Sequence, residues 1–265
     1  MKCPPSLGIV FILTLAALPL SAQTSRAAPP PTMRILVPAY FYPVPGSPWD
    51  RLDLASEHHP ELIWAIGNPA SGPGASPDPT YVATFQDFRA RRGHLLGYVT
   101  SSYGTKALGT IWGEVDVWHQ WYDVDGIFVD EMDNTPGANE SYYHALYQGI
   151  RVSHPRAMVV ANPGVSTSLD YLDGAFGRCA DSLCIFENSL DFLAWSSDPW
   201  VATRARREFY ALPYGVDPSA WRARVDHAFQ EHVGWFYTTD DVLPNPWDTL
   251  PSYFEDLVAY VERRY

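Results

Sequence analysis

The sequence is poor in cysteine and in basic residues. It has only three cysteines among 265 residues, and 18 Lys and Arg face 30 Asp and Glu, so the formal net charge is -12. An acidic surface repels phosphate backbones and anionic lipid headgroups. The composition therefore argues against nucleic acid as a partner. With 46% hydrophobic against 18% charged residues, it also excludes disorder as the main state.

Several motifs that indicate a metal or a cofactor are missing from the sequence. The eight histidines form neither a His-x-His nor a His-Glu-x-x-His pattern, and there is no Gly-x-Ser-x-Gly elbow. The first predicted strand ends in the aromatic turn 40–43 and not in a glycine-rich phosphate loop. We expect neither a metal nor a cofactor, although Asp130, Glu131 and Asp133 leave a hard divalent cation open as an alternative.

The first 33 residues have the pattern of an export leader followed by a linker. Lys2 precedes an apolar run over residues 7–20, and a small-residue cleavage site ends at Ala22. The run is shorter than the roughly 20 residues that a membrane-spanning helix needs. We expect residues 1–22 to be a signal peptide and 23–33 a proline-rich linker. The mature protein is then secreted, extracellular and free of the membrane; an uncleaved anchor is the alternative.

Two cysteines remain once the leader is removed. Cys3 lies within the leader, which leaves Cys179 and Cys184 in the mature chain. Exported proteins meet oxidising surroundings, so we predict a disulfide between Cys179 and Cys184. A reduced, buried pair is the alternative, since the spacing matches no metal site.

Short β-rich runs alternate with longer helix-like stretches along the mature chain. The starts of the runs are roughly thirty residues apart, the length of a βα unit. Eight such units predict a single-domain (β/α)8 TIM barrel over residues 34–265, which we expect to be a monomer. The predicted strands cover residues 34–42, 61–67, 94–100, 125–130, 157–161, 183–187, 208–212 and 234–237.

The residues at the ends of these strands are polar or aromatic. In a TIM barrel the active site lies at the carboxyl ends of the strands, so these side chains are candidates for the site. Amides and acids among aromatic rings are typical of a sugar-binding site. The predicted substrate-binding residues are Tyr40, Tyr42, Asn68, Tyr98, Tyr103, Asn162, Asn188 and Tyr237.

Two of the predicted strands end in acidic residues. Strand alternation places Asp130 on the same face as Phe128, and Glu131 can reach that face only if the backbone turns there. Glu187 ends the apolar strand 183–187. Asp130 and Glu187 lie two strands apart, and facing carboxylates are what glycosidic cleavage needs. The alternative is that these acids hold arginines or loop amides.

A series of motifs in these same places resembles the spherulin-4 family. The resemblance covers most of the mature chain, in order, and weakens over residues 195–265. The motifs are Asn68-Pro69-Ala70-Ser71-Gly72-Pro73-Gly74, Gly97-Tyr98-Val99 with Tyr103-Gly104, Gly126 to Glu131, Asn162-Pro163-Gly164 and Phe186-Glu187.

This resemblance implies a (β/α)8 glycoside hydrolase that cuts α-1,4-linked galactosamine polymers such as the biofilm polysaccharide galactosaminogalactan. The family's adjacent Asp-Glu pair falls on Asp130 and Glu131, and its later glutamate on Glu187. The acidic chain suits a partly deacetylated, cationic polymer as the partner. A spherulin-type coat or wall role without catalysis is also compatible with the resemblance.

We therefore predict a secreted, endo-acting glycoside hydrolase. Asp130 acts as nucleophile or charge stabiliser, Glu187 as general acid/base, and Glu131 tunes the pair through its charge. In an α-galactosaminide the 2-acetamido group is cis to the leaving group, so a retaining enzyme must supply the nucleophile itself. A non-catalytic carbohydrate-binding or wall protein and a metal-dependent polysaccharide deacetylase remain as alternatives.

Overall fold

A closed barrel of eight parallel strands forms the centre of the protein. The computed structural model describes Met1 and residues 32–265, so the predicted signal peptide, apart from Met1, and nearly all of the linker lie outside the described residues. The strands are β1 (Arg34–Ala39), β2 (Ile63–Gly67), β3 (His94–Thr100), β4 (Gly126–Asp130), β5 (Met158–Ala161), β6 (Ser182–Phe186), β7 (Phe209–Ala211) and β8 (Trp235–Phe236).

The barrel closes between its first and last strands. Arg34 pairs with Trp235, and Ile35 pairs with Phe236, in parallel register. All other strands pair with their neighbours in chain order. The prediction of a (β/α)8 TIM barrel is therefore confirmed.

Helices connect most of the strands on the outside of the barrel. Six of the eight βα positions carry a helix of ten or more residues, whereas the β6–β7 connection holds three short 3-10 turns. Within residues 32–265, no helix combines the length and the apolar character needed to cross a bilayer. The helices are α1 (Pro48–His58), α2 (Pro79–Ala90), α3 (Leu108–Tyr122), α4 (Glu140–Ser153), α5 (Asp170–Asp173), α6 (Trp221–Gln230) and α7 (Phe254–Arg264).

Gly126 sets the spacing between β4 and β5. A Cβ atom at this position would lie 2.2 Å from the carbonyl oxygen of Met158, which is far inside van der Waals contact. Because the obstructing atom belongs to the backbone of the neighbouring strand, it cannot rotate away. Only glycine lets β4 begin here and carry the chain to Asp130 in the observed register.

Three aromatic rings fill the barrel beneath its carboxyl-terminal end. The ring of Phe128 lies between those of Tyr98 and Tyr210, with centroids 6.2 and 6.3 Å away. All three side chains are buried, and the Tyr210 hydroxyl donates to the carbonyl oxygen of Ala161 over 3.1 Å. This aromatic floor supports Asp130, which follows Phe128 on the same face of β4.

The predicted disulfide between Cys179 and Cys184 is not formed, because the two thiols point into different layers. Both cysteines are buried and free. The Cys179 sulfur lies 3.4 Å from the carbonyl oxygen of Glu140 at the start of α4. Cys184 lies within β6 and approaches Tyr210 in the barrel interior. Neither an oxidising compartment nor a short spacing between two cysteines determines the direction of their side chains.

The two ends of the described barrel meet at the amino-terminal face of the strands. The backbone N–H of Thr32, two residues before β1, donates to the carbonyl oxygen of Tyr265 over 2.8 Å. Tyr265 directly follows α7. The chain thus enters and leaves the barrel at one place.

Candidate active site

One buried amide group joins the two predicted catalytic acids. The Nδ2 atom of Asn162 donates to Asp130 Oδ1 over 2.9 Å and to Glu187 Oε2 over 2.7 Å. Both N–H bonds of the amide are therefore used. Since one nitrogen lies within these distances of both oxygens, the two oxygens are at most 5.6 Å apart. The structure brings Asp130, Asn162 and Glu187 together at the mouth of the barrel.

Asn162 is held from several sides, as its bridging position requires. It follows β5 and is only 9% exposed. Its Oδ1 atom accepts from the backbone N–H of Gly164 over 3.1 Å, so the turn fixes the amide's orientation. Its own carbonyl oxygen accepts from the backbone N–H of Met132 over 3.0 Å. The loops that follow β4 and β5 are thereby tied together beside the acids.

Glu187 is placed by an irregular end of β6. The register between β6 and β7 shifts between Cys184 and Phe186, and a β-bulge of this kind redirects the residues that follow it. The backbone N–H of Glu187 then donates to the carbonyl oxygen of Gly164 over 2.9 Å. The strand end is therefore anchored to the same turn that holds Asn162.

The surroundings of Glu187 favour its protonated form. Burial is the largest cause, and the negative charge of Asp130 adds to it, so that the pKa of Glu187 rises from 4.5 to about 7. Hydrogen bonds with Asn162 and Trp247 act in the opposite direction and limit the rise. A carboxyl group with a pKa near neutrality can both give and take a proton at physiological pH.

Asp130 is oriented by a tyrosine as well as by Asn162. The hydroxyl of Tyr98 donates to Asp130 Oδ2 over 2.7 Å. The ring of Tyr40 meets that of Tyr98 edge to face, with centroids 5.9 Å apart. Burial, followed by the charge of Asp130, raises the pKa of both tyrosines, so both remain protonated. Two predicted residues thus form one wall beside the carboxylate.

Glu131 reaches the mouth through a backbone turn. Its backbone φ angle of 52° is in the left-handed region, which residues other than glycine rarely adopt. The Thr100 hydroxyl donates to Glu131 Oε2, and the Ser101 hydroxyl donates to the Glu131 carbonyl oxygen over 2.8 Å. Tyr103 also donates its backbone N–H to that carbonyl oxygen. The loop after β3 therefore holds Glu131 in this conformation.

The acids of the 130–133 segment do not converge on one point. Asp133 Oδ1 accepts from the backbone N–H of Thr135 over 2.9 Å, and Oδ2 accepts from Asn139 Nδ2 over 2.6 Å. These contacts occupy the carboxylate within its own loop. Within residues 32–265, no group of three or more His, Cys, Asp or Glu side chains has a geometry that suits a metal ion.

Three other predicted residues occupy the rim or its loops. Asn68 Oδ1 accepts from the backbone N–H of Gly72 over 3.1 Å, so this amide shapes the turn after β2. Asn188 Oδ1 similarly accepts from the backbone N–H of Leu190 over 3.1 Å. Tyr42 is 51% exposed and donates to Asp78 over 3.1 Å at the outer edge of the mouth.

The remaining two predicted aromatic residues behave differently from one another. Tyr103 is 61% exposed, so its ring is free to stack on a sugar. Tyr237 is fully buried, and its ring packs against Trp247 with centroids 6.1 Å apart. The structure thus buries the Tyr237 side chain completely, contrary to the prediction that it binds substrate.

Trp247 lies beside the acids and was not found by the sequence analysis. Its side chain is near enough to Glu187 to lower the pKa of that carboxyl, and its carbonyl oxygen accepts from the backbone N–H of Tyr40 over 3.1 Å. Trp247 lies in the long loop between β8 and α7, where no strand or helix pattern indicates its direction. The one available signal was an indole in a Pro- and Asp-rich loop after the last strand.

Comparison with known proteins identifies relatives over most of the chain. The model of the spherulation-specific family 4 matches residues 34–261. Spherulin-4 of Physarum polycephalum is 31% identical over 193 residues, which cover 72% of this chain and 55% of that protein. The chain thus spans about half the length of this curated relative. The resemblance drawn from the motifs is confirmed.

Solved structures show the same fold. Sph3 of Aspergillus clavatus, in complex with GalNAc, has a TM-score of 0.74 at 22% identity, covering 87% of this chain and 98% of that one. Active domain 2 of a thermostable chitinase from Pyrococcus furiosus, complexed with chito-oligosaccharides, has a TM-score of 0.56 at 12% identity. That match covers 90% of this chain and 99% of the chitinase domain.

Proposed function

Because the chain belongs to the spherulation-specific family 4, we propose that it is a secreted, endo-acting glycoside hydrolase. Its substrate is a polymer of α-1,4-linked N-acetylgalactosamine and galactosamine. The observation that carries the proposal is the shared hydrogen bonding of Asp130 and Glu187 to one amide at the mouth of the barrel. The GalNAc complex of Sph3, which has the same fold, supports an amino sugar as the substrate unit.

The separation of the two acids favours hydrolysis with retention of configuration. Carboxyl groups about 5–5.5 Å apart are typical of retaining enzymes, and about 6.5–9.5 Å of inverting ones. The facing oxygens of Asp130 and Glu187 are at most 5.6 Å apart. This separation leaves little room for the water molecule that an inverting enzyme places between its base and the sugar.

In the first chemical step, Asp130 attacks the anomeric carbon while protonated Glu187 donates to the glycosidic oxygen. The carbon–oxygen bond to the leaving chain breaks as the Asp130–carbon bond forms. In the second step, ionised Glu187 takes a proton from a water molecule whose oxygen attacks the same carbon and releases Asp130. The raised pKa of Glu187 suits it to both roles.

Glu131 contributes charge to this mechanism. Its carboxylate, held by the Thr100 hydroxyl, lies near enough to Tyr98 to raise the pKa of that phenol. Tyr98 in turn donates to Asp130. We assign Glu131 to tuning the acid pair, and not to bond breaking.

The acidic composition favours a partly deacetylated, cationic polymer over a fully acetylated one. Ammonium groups on galactosamine are attracted to a negative surface, and salt screens this attraction. We expect a higher kcat/KM on the partly deacetylated polymer at about 0.01 M salt, and a smaller advantage at about 1 M. Equal rates at low salt would contradict the charge preference without contradicting hydrolysis.

Release of reducing ends from a panel of polymers tests the proposed function. Galactosaminogalactan and partly deacetylated poly-galactosamine are compared with chitin, cellulose and starch, with and without a chelator. The proposal expects reducing ends from the galactosamine polymers, insensitive to chelation. Binding without product would indicate a wall or carbohydrate-binding protein. Chelator-sensitive release of acetate without reducing ends would indicate a deacetylase.

A further inference from the structure

A pocket lined by five arginines lies at the amino-terminal face of the barrel, opposite the mouth. Its cavity of about 340 Å³ adjoins the starts of β1, β5, β6, β7 and β8. The lining carries two carboxylates, so its formal charge is +3 in a chain of net charge -12. The charged lining residues are Arg34, Arg151, Arg156, Arg178, Arg207, Asp181 and Glu208.

The two carboxylates of this pocket are already engaged within the protein. Asp181 accepts from the Tyr147 hydroxyl and from the backbone N–H of Val159, each over 2.9 Å. Glu208 pairs with Arg178 over 2.5 Å and with Arg204 over 3.1 Å. Neither acid is therefore left to neutralise the remaining arginines fully.

Three of the arginines have no anionic partner in the part of the chain that the structure describes. No carboxylate of residues 32–265 lies within 4 Å of the guanidinium groups of Arg34, Arg156 or Arg207, and none of these three guanidinium groups donates a hydrogen bond there. An Arg cluster without counter-ions is costly, because the like charges repel one another, and the half-buried Arg34 is also partly removed from water.

Arg34 shows this cost most clearly. Its guanidinium lies 5.0 Å from the ring centroid of Trp235 and 5.8 Å from that of Trp64. Cation–π contacts hold the group in place but leave its charge in full. Burial lowers the pKa of Arg34, so its environment disfavours the cation. An anion bound in the pocket would stabilise the charged form of Arg34.

We propose that this pocket binds a phosphate-class oxyanion carrying at least two negative charges. Guanidinium groups present planar pairs of N–H donors that match phosphate oxygens, and such charge-assisted bonds are about twice as strong as neutral ones. A formal charge of +3 in the lining calls for a multivalent anion and not a monovalent one. The site lies across the barrel from Asp130 and Glu187, so occupancy leaves the mouth open.

Calorimetric titration of the purified mature protein with inorganic pyrophosphate, in a phosphate-free buffer at about 20 mM ionic strength, tests the proposal. The expected result is saturable binding of one pyrophosphate per chain that weakens as salt rises. The variant Arg156→Gln/Arg207→Gln, which alters two exposed side chains of the pocket, should weaken binding by about tenfold or more.

The control is Arg222→Gln/Arg263→Gln, which removes the same charge at two exposed sites outside the pocket. It should change the affinity by less than about twofold. Equal losses in both double variants, or no saturable binding to the wild-type protein, would overturn the proposal. Reducing-end release should be the same in all three proteins, since none of the changes lies at the mouth.

A second ligand distinguishes the source of the anion. Long-chain polyphosphate presents the same chemistry along a polymer. Tighter binding of polyphosphate than of pyrophosphate, lost in Arg156→Gln/Arg207→Gln, would assign a polymeric ligand that continues beyond the pocket. Comparable affinities for the two would assign a free, small phosphate compound.

Discussion

Asp130 and Glu187 accept hydrogen bonds from the same amide nitrogen, although Asp130 ends β4 and Glu187 directly follows β6. The strand between them, β5, supplies that amide through Asn162. The distance between the acids is therefore determined at the carboxyl ends of three consecutive strands of one closed barrel. A spacing set in this way is reproducible, which a mechanism with two chemical steps on the same carbon requires.

Removing either acid of the pair should abolish most of the activity. Asp130→Asn and Glu187→Gln keep the size of the side chain but remove the titrating group, so kcat should fall by about 10²-fold or more. Glu131→Gln should change the pH dependence more than the rate. The measurement is reducing-end release on galactosaminogalactan, and Asp256→Asn, at an exposed position of α7, serves as the control. Near-full activity in a folded Asp130→Asn or Glu187→Gln protein would exclude that residue from the mechanism.

The activity should decline above neutral pH. Glu187 must be protonated for the first step, and its pKa of about 7 places the alkaline limb of the kcat/KM profile there. Asn162→Ala removes a hydrogen bond that lowers this pKa, so the limb should move to higher pH. Gln230→Ala is the control, since that amide side chain is exposed at the end of α6, away from the acids. A wild-type rate that stays constant to about pH 9 would rule out Glu187 as the acid.

The raised pKa of Glu187 should also lower the stability of the protein at alkaline pH. Between about 4.5 and 7 the folded state holds a proton that the unfolded state releases, so the free energy of unfolding falls as pH rises through this window. The Glu187→Gln variant has no titrating group at this position, so it should not lose stability in this way. The free energy of unfolding of the variant minus that of wild type should therefore be larger at pH 8 than at pH 5, by up to about 3 kcal/mol.

Urea unfolding at the two pH values measures this difference. Asp256→Asn, at an exposed position of α7, is the control and should show no such dependence. If Glu187→Gln and wild type differ by the same amount at pH 5 and pH 8, the carboxyl group does not titrate as described.

Two glycine substitutions should act in opposite directions. Gly126→Ala forces a Cβ atom to within 2.2 Å of the Met158 carbonyl oxygen, so the start of β4 must shift and stability should fall by about 2 kcal/mol or more. Gly113→Ala places its methyl group in open space on α3 and should stabilise by about 0.5–1 kcal/mol. Thermal unfolding of both variants provides the comparison. A Gly126→Ala protein as stable as wild type would show that β4 and β5 separate freely.

The strand pattern was predictable because the barrel buries every strand. The limits of β3 agree with the sequence prediction at both ends. β4 begins one residue later than predicted and ends at Asp130 as predicted, and β6 begins and ends one residue earlier than predicted, so Glu187 directly follows it. Buried parallel strands appear as uninterrupted apolar runs, and the residue that ends each run is placed at the mouth by the fold itself. For this reason the acids were found from the sequence.

The failures share a different cause. Tyr237 follows β8, which has only two residues, so alternation along the strand does not determine where the side chain points. The directions of Cys179 and Cys184 depend on which layer each thiol enters, and spacing along the chain carries no information about that. Trp247 reaches Glu187 from a loop, where no periodic pattern exists. Sequence periodicity locates side chains on regular elements and not on the segments between them.

The hydrogen bond between Thr32 and Tyr265 holds these two residues together, so attachment of the protein through either one would give the barrel the same orientation relative to its support. Both residues lie at the amino-terminal face of the strands, whereas Asp130 and Glu187 lie at the opposite face. A fusion partner, an affinity tag or a solid support joined to either residue would therefore start from the back of the molecule. Such an attachment would present the mouth outward, so immobilisation through these ends would preserve access for a long polymer chain.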